Sequence, residues 1–238
     1  MEKKLSIIIP VFNEKESLST MVRLLKSSLN FENEVIIVYD SETDNSVEEA
    51  KKLEAELHNV KALHNSKKRG VKYAIDKGVQ ESVYDIFLIT VVDDIFPILA
   101  IEEMMNLITK ENCDFISGTR YSLGGKRIGG SLIGSILSWT ANRTFQLLTN
   151  YPFSDSTTGI KMMKKNVWNS IVLESKPIGW AFAFELSIKV FIKNYKVREV
   201  PFKSVDRLFG GKSTFKPVSW IKEYLRWFLW GVKNAKKK

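Results

Sequence analysis

The sequence predicts an α/β fold: a mostly parallel central sheet flanked by helices, ending in C-terminal amphipathic helices. Three observations predict it. Apolar, β-branched runs alternate with amphipathic helical patterns through the first ~120 residues. The connections between the runs are long enough for right-handed crossovers, which makes successive strands parallel. Polar and charged residues gather just after the runs, at Pro10–Glu14, Asp40–Asp44, His64–Gly70, Asp93–Asp94 and Gly118–Tyr121. Ligands in such sheets bind there, beyond the carboxyl ends of the strands.

The elements follow in order. LSIIIPVF (5–12) is a buried strand, and the apolar stretch before Asn13 and Glu14 is too short for a signal-peptide core. Asn13 and Glu16 have the spacing of a capping box, and Leu18, Met21, Val22, Leu25 and Leu29 fall on one face of the helix behind them. EVIIVYD (34–40) is the second strand, and Ser46 with Glu49 caps a helix through about Leu57. NVKALHN (59–65) is the third strand, and after KKRG (67–70) a helix runs through Ala74 to Gly78. DIFLITVV (85–92) is the fourth, a helix spans about Ile101 to Thr109, and DFISGTR (114–120) is the fifth strand.

The second half reads differently. Ser131, Ser135, Ser138, Asn142 and Gln146 recur at helical spacing, while Leu132, Ile133, Ile136, Leu137, Trp139, Leu147 and Leu148 cover most of the remaining surface. So wide an apolar face belongs against protein or a membrane interface. In WIKEYLRWFLWGVKNAKKK (220–238), Lys222, Arg226 and Lys233 share one face and Trp220, Tyr224, Trp227 and Phe228 another. That make-up suits the headgroup region of a membrane, with core packing as the alternative.

The chain has 238 residues, 44% hydrophobic and 26% charged, which excludes a disordered tract and allows one sizeable core. Its one cysteine, Cys113, excludes an internal disulfide framework and suits a reducing compartment. No uninterrupted apolar run approaches the length needed to cross a bilayer. A net charge of +9 asks for an anionic partner: a phosphorylated ligand, an acidic membrane surface or nucleic acid. Nucleic acid fits poorly, because the basic residues are not interleaved with aromatics on one sheet face.

The stretch FLITVVDDIFP (87–97) carries the sharpest chemistry: a buried run ends in Asp93 and Asp94. Two such charges are tolerable only with a cation or a proton close by.

PVFNE (10–14), VYDSETDNS (38–46), KKRG, the acid pair, GTRY (118–121), DSTTGIK (155–161) and EVPFKSVDRLFGGKS (199–213) occur in this order. Together they resemble the family 2 glycosyltransferases of GT-A type fold, and most closely the dolichyl- or polyprenyl-phosphate sugar transferases, over about Leu5–Thr214. The resemblance implies a catalytic domain over 1–214, with a nucleotide-sugar-binding half (1–121) and an acceptor-binding half (122–214), and a basic amphipathic segment over 215–238. It implies transfer of a hexose, with inversion, from a GDP-mannose or UDP-glucose type donor to a polyprenyl or dolichyl phosphate. The reaction would need Mg²⁺ or Mn²⁺ and would run at the cytoplasmic membrane face, the enzyme being peripheral and cytoplasmic.

In that setting Pro10, Phe12 and Glu14 form the floor of the nucleotide pocket, and Asp40 accepts hydrogen bonds from base or ribose. Lys68, Arg69 and Gly70 present charge and N–H groups to phosphate or base. The family usually carries Asp-X-Asp at the acid pair; here Val91 takes the first acidic position, leaving Asp93 as the direct metal ligand and Asp94 as its substitute or outer partner. Tyr39 likewise replaces the first of two usual acids. Arg120, Arg207 and Lys212, with Arg127 beside them, would hold two anionic groups together. Asp155 would orient the acceptor, serve as a base for a hydroxyl, or simply cap the next turn. The alternatives are transfer to a glycan hydroxyl, and a membrane-docked nucleotide-sugar-binding protein with weakened catalysis.

Overall fold

The computed structural model of the protein describes residues 2–206 and 217–235, the side chains of 217–219 excepted. Strands and helices alternate as β1 (Lys4–Val11), α1 (Lys15–Ser28), β2 (Glu32–Tyr39), α2 (Ser46–Glu56), β3 (Val60–His64), α3 (Val71–Glu81) and β4 (Ile86–Ile89). A short 3-10 helix (Phe96–Ala100) leads into α4 (Ile101–Thr109) and β5 (Phe115–Thr119). The second half adds β6 (Lys126–Ile128), α5 (Leu132–Thr149), β7 (Lys161–Lys164), α6 (Lys165–Ser170), α7 (Ala181–Ile192), β8 (Val197–Pro201), β9 (Lys203–Val205) and α8 (Pro217–Ala235).

Seven strands form one sheet in the order β3-β2-β1-β4-β7-β5-β8, and β6 pairs with β9 in a separate ribbon. The sheet is parallel except at β7, which runs antiparallel to both β4 and β5. The fold is therefore α/β with a mostly parallel sheet between two helical layers. Alternation along β1 divides the core. Leu5, Ile7 and Ile9 face the layer of α1, α2 and α4. Ile8 faces α3 and α7, with Phe145 of α5 and Trp227 of α8 in the same cluster.

Several local expectations are corrected. No capping box forms at Asn13–Glu16: Asn13 adopts a left-handed φ of 59°, and α1 starts from Glu14 without a side-chain cap. The reason is a tertiary tie, since the Asn13 N–H donates to both Asp44 carboxylate oxygens at 3.1 Å. Ser46 does not cap α2 either, because its hydroxyl accepts the Glu14 N–H at 2.8 Å. The fourth strand stops at Ile89, so the acid pair lies in the turn beyond it. β7, β8 and the helices α6 and α7 fall where the sequence pattern marks no separate elements.

The two helices of the second half face opposite to their composition. In α5 the polar Asn142 is buried with Phe145 and Thr149, while Leu132, Ile133, Ile136, Trp139, Leu147 and Leu148 are exposed. In α8 the aromatic face is the inner one. Trp227 is 1% exposed, Phe228 packs edge-on against Phe145, and Tyr224 lies tilted over Phe184. Core packing, not a headgroup belt, accounts for these aromatic residues; Ile221, Leu225 and Leu229 are the exposed ones, the first two lining a cavity.

Candidate active site

A cavity of about 1130 Å³ opens above the carboxyl ends of the central strands. Phe12, Asn13 and Glu14 reach it from β1, Asp93 and Asp94 from the turn after β4, and Arg120 from the end of β5. The β6–β9 ribbon contributes Arg127, Ser204 and Asp206, and α5 contributes Leu137, Ser138 and Ala141. Trp180, Phe184, Trp220, Tyr224 and Phe228 make the remaining wall aromatic.

The acid end is shaped by the sequence around it. Asp44 and Ser46 of VYDSETDNS hold the Asn13–Glu14 turn, a role that reading them as part of a nucleotide motif misses. Burial, and then the charge of Asp93, push Glu14 up to about 7. Asp94 is also raised by burial, but it is already engaged, with Ser204, with the Val205 backbone and with the Phe96 N–H at 3.2 Å. Among the described residues no three metal-ligating side chains converge. The donor set of Asp93 beside Glu14 nevertheless fits a divalent cation, since a cation there relieves the repulsion that raises Glu14, and oxygens of a bound diphosphate would complete its shell.

The basic end centres on Arg120. Its Nε donates to Asp155 Oδ2 at 2.7 Å and its Nη2 to Asp155 Oδ1 at 3.0 Å, a bidentate pair. Nη2 also reaches the Thr157 hydroxyl at 3.2 Å, and the guanidinium lies over the Tyr121 ring at 5.2 Å. Burial opposes both charges, but each partner overrides it: Arg120 is held above its ordinary value and Asp155 below it. Asp155 is fully buried and does not line the cavity. Arg127, half-buried, pairs with Asp206 at 2.9 Å.

The remaining expected residues lie apart from the cavity lining. Pro10 pairs in register with Val38 within the sheet. Asp40 accepts the Gly70 N–H at 2.6 Å through Oδ2, while its Oδ1 is buried without a partner. An orphaned buried carboxylate oxygen at a strand end is an acceptor waiting for a donor. Gly70 has φ 121°, and a Cβ there would meet Pro177 at 2.9 Å, so the KKRG turn needs glycine. Lys68 and Arg69 are exposed beside it. Arg207 and Lys212 lie outside the described residues. Lys161, fully buried, and Glu199, half-buried, lie near Asp155 and escape sequence reasoning, since neither sits in a pattern that marks it locally.

Residues 6–171 match the model of the family described as glycosyl transferase family 2. A dolichol-phosphate mannosyltransferase of Pyrococcus furiosus is 28% identical over 232 residues; they span 94% of this chain and 64% of that relative's length. An undecaprenyl-phosphate mannosyltransferase of Micrococcus luteus is 24% identical, spanning 85% of this chain and 84% of that protein. Among solved structures, glucosyl-3-phosphoglycerate synthase of Mycobacterium tuberculosis superposes with a TM-score of 0.72 at 13% identity, covering 97% of this chain and 80% of that one, in complex with Mn²⁺, UDP and glucosyl-3-phosphoglycerate. The same enzyme with Mn²⁺, UDP-glucose and phosphoglyceric acid gives a TM-score of 0.71 at 13% identity, with the same coverage. The expectation of a dolichyl- or polyprenyl-phosphate sugar transferase is corrected by these structures: the fold is shared across nearly the whole chain with a glucosyl-3-phosphoglycerate synthase, solved in complex with UDP-glucose and phosphoglyceric acid. The motif order marks the family, and does not mark the acceptor.

Proposed function

The chain belongs to glycosyl transferase family 2, and from that membership we propose that it moves a hexose from a UDP-type nucleotide sugar onto a hydroxyl of an acceptor that carries an anionic group. The observation that carries this reading is one cavity lined both by Glu14 and Asp93 and by the clamped Arg120. Its volume of about 1130 Å³ exceeds the range usual for a single small ligand, roughly 300–1,000 Å³. Donor and acceptor have room to meet.

Asp93, beside Glu14, would hold Mg²⁺ or Mn²⁺, which when bound supplies Lewis-acid stabilisation of the departing diphosphate. Asp94 supports this end by fixing the turn through the Phe96 N–H. The orphaned Oδ1 of Asp40 would accept from the base or ribose, next to the Gly70 turn that bears Lys68 and Arg69, and Pro10 and Phe12 would form the floor of that pocket. Arg120, pre-ordered by Asp155, offers fixed positive charge to an anionic group without reorganisation. A hydroxyl acceptor also needs a base. Asp155 is sealed behind Arg120, which leaves that role to carboxylates open to the cavity.

The test follows UDP release from UDP-glucose with Mn²⁺, offering phosphoglyceric acid, glycerol 3-phosphate and a neutral oligosaccharide. Release stimulated by a phosphorylated hydroxyl acceptor and abolished by EDTA is expected. Release that no hydroxyl acceptor stimulates, or that EDTA leaves unchanged, overturns the reading.

A second observation bears on where the enzyme works. No helix among the described residues is long and apolar enough to cross a membrane. Yet α5 and α8 each expose apolar residues, and α5 contains no acidic residue while α8 displays Lys222, Arg226 and Lys233. Two copies of such a face would bring like charges together, whereas an anionic lipid surface complements it, at roughly 1 kcal/mol per basic residue. On this reading the enzyme docks peripherally. Co-sedimentation with anionic liposomes at low salt, lost in Leu147→Glu/Leu229→Glu, is expected; protein that stays in the supernatant rules docking out.

A further inference from the structure

Asp155 belongs to no helix or strand, yet it alone holds the Arg120 guanidinium bidentately. Side chains from three strands hold Asp155 in turn. Glu199 on β8 accepts the N–H of Ser154 at 2.8 Å and of Asp155 at 3.1 Å, and the Ser154 hydroxyl at 2.8 Å. From the other side, the Ser117 hydroxyl on β5 is shared between the Asp155 carbonyl at 3.1 Å and the neighbouring Gly118 carbonyl at 2.9 Å. The Ser117 oxygen accepts from Lys161 Nζ on β7 at 2.6 Å. Lys161 is fully buried, and neither it nor Glu199 lines the cavity.

Burying the Lys161 ammonium near the half-buried Glu199 carboxylate is unfavourable unless both are well paired, and an apolar pair of similar volume is often at least as stable. Their geometry explains why they are here. One braces the N–H side of Asp155 and the other, through Ser117, its C=O side. We infer that Glu199 and Lys161 are positioning residues for Arg120, acting through Asp155. This rests on the reading above that Arg120 faces the reacting groups. Without the Glu199 carboxylate, two backbone N–H groups lose their shared acceptor Oε1, the 154–155 segment shifts, and the bidentate geometry at Arg120 goes with it.

A double-mutant cycle separates positioning from plain stability. Glu199→Leu, which removes the acceptor, should lower kcat for UDP-glucose about tenfold, in line with the cost of sub-ångström misplacement, and leave KM for the donor within about twofold. In an Arg120→Ala background the same change should lower kcat less than about twofold. Equal losses in both backgrounds, or an unchanged kcat, overturn the inference. A second measurement does not depend on transfer: solvent exchange of the Arg120 Nε–H, assigned by its absence in Arg120→Ala. Exchange at least about tenfold faster in Glu199→Leu is expected, since protection reflects local opening; unchanged exchange overturns the proposal even where no acceptor is turned over. Should Glu199→Leu not fold, Ser117→Ala removes the opposite brace and is read the same way. Absent transfer with altered exchange would sink only the transfer reading.

Discussion

Asp93 and Asp94 are neighbours in sequence, yet Asp94 accepts from the Phe96 N–H at 3.2 Å while Asp93 faces the cavity in the field of Glu14. Their substitutions should therefore separate. Asp93→Asn is expected to lower Mn²⁺-dependent UDP release by at least ~10²-fold. Asp94→Asn should instead cost about 1–3 kcal/mol of stability, the penalty for leaving buried partners unsatisfied, with a smaller loss of activity. Urea unfolding and metal titration of both variants check this, and greater metal sensitivity in Asp94→Asn would reverse the assignment. Lys161 gives a pH signature. Burial pushes it from the ordinary 10.5 down to about 7. Below pH 7 folded and unfolded chains both hold its proton; between about 7 and 10.5 the unfolded chain holds more, so this residue makes stability rise with pH across that window. Urea midpoints of wild type should gain on those of Lys161→Met from pH 7 to 10, and parallel curves would refute it. The acid pair and Arg120 are legible because each sits in a short local motif. The partnership of Arg120 with Asp155 spans 35 residues and leaves no local trace.

Helical periodicity reveals α5 and α8 but does not say which face turns inward. In α8 both faces are apolar enough to be buried, and α7 selects the aromatic one because Phe184 and Lys189 offer it ring and cation contacts. In α5 the polar stripe is the inner one, because the cavity needs it. Ser138 binds the Tyr121 and Thr157 hydroxyls, and Asn142 accepts the Ser156 N–H at 2.8 Å. The helix is thus amphipathic toward a site, and composition alone reads it inside out. Trp227→Ala is expected to cost about 3–5 kcal/mol, as for a fully buried aromatic side chain. Leu229→Glu, on the exposed face of the same helix, should stay within about 0.5 kcal/mol. Denaturant unfolding of the two variants measures the contrast; similar losses would mean the exposed face packs against protein after all.

At the scale of the whole molecule, the alternation of strand and helix that makes the first half legible stops short of one decisive fact: β4 and β5 are consecutive in sequence and not adjacent in the sheet. β7 lies between them, pairing antiparallel with both. Local patterning marks a strand by its residues, but KMMK (161–164) is short and flanked by lysines, so nothing local announces its place at the centre. The consequence concerns the division at residue 121. In a fragment of residues 1–121, β5 would have no strand partner, since β7 and β8 are its only neighbours. The sheet face carrying Ile8, Phe87 and Ile89 would also lose Met163, Trp168, Phe182 and Phe184, which cover it from the second half. An exposed apolar sheet face of that kind favours association over folding. The fragment is therefore expected to lack a cooperative urea transition and to aggregate, although it contains the motifs that face the nucleotide. Unfolding followed by both fluorescence and far-UV circular dichroism decides the point. A single coincident, cooperative transition in the isolated fragment would show that the first half is a folding unit on its own, and that β7 is added to a finished sheet.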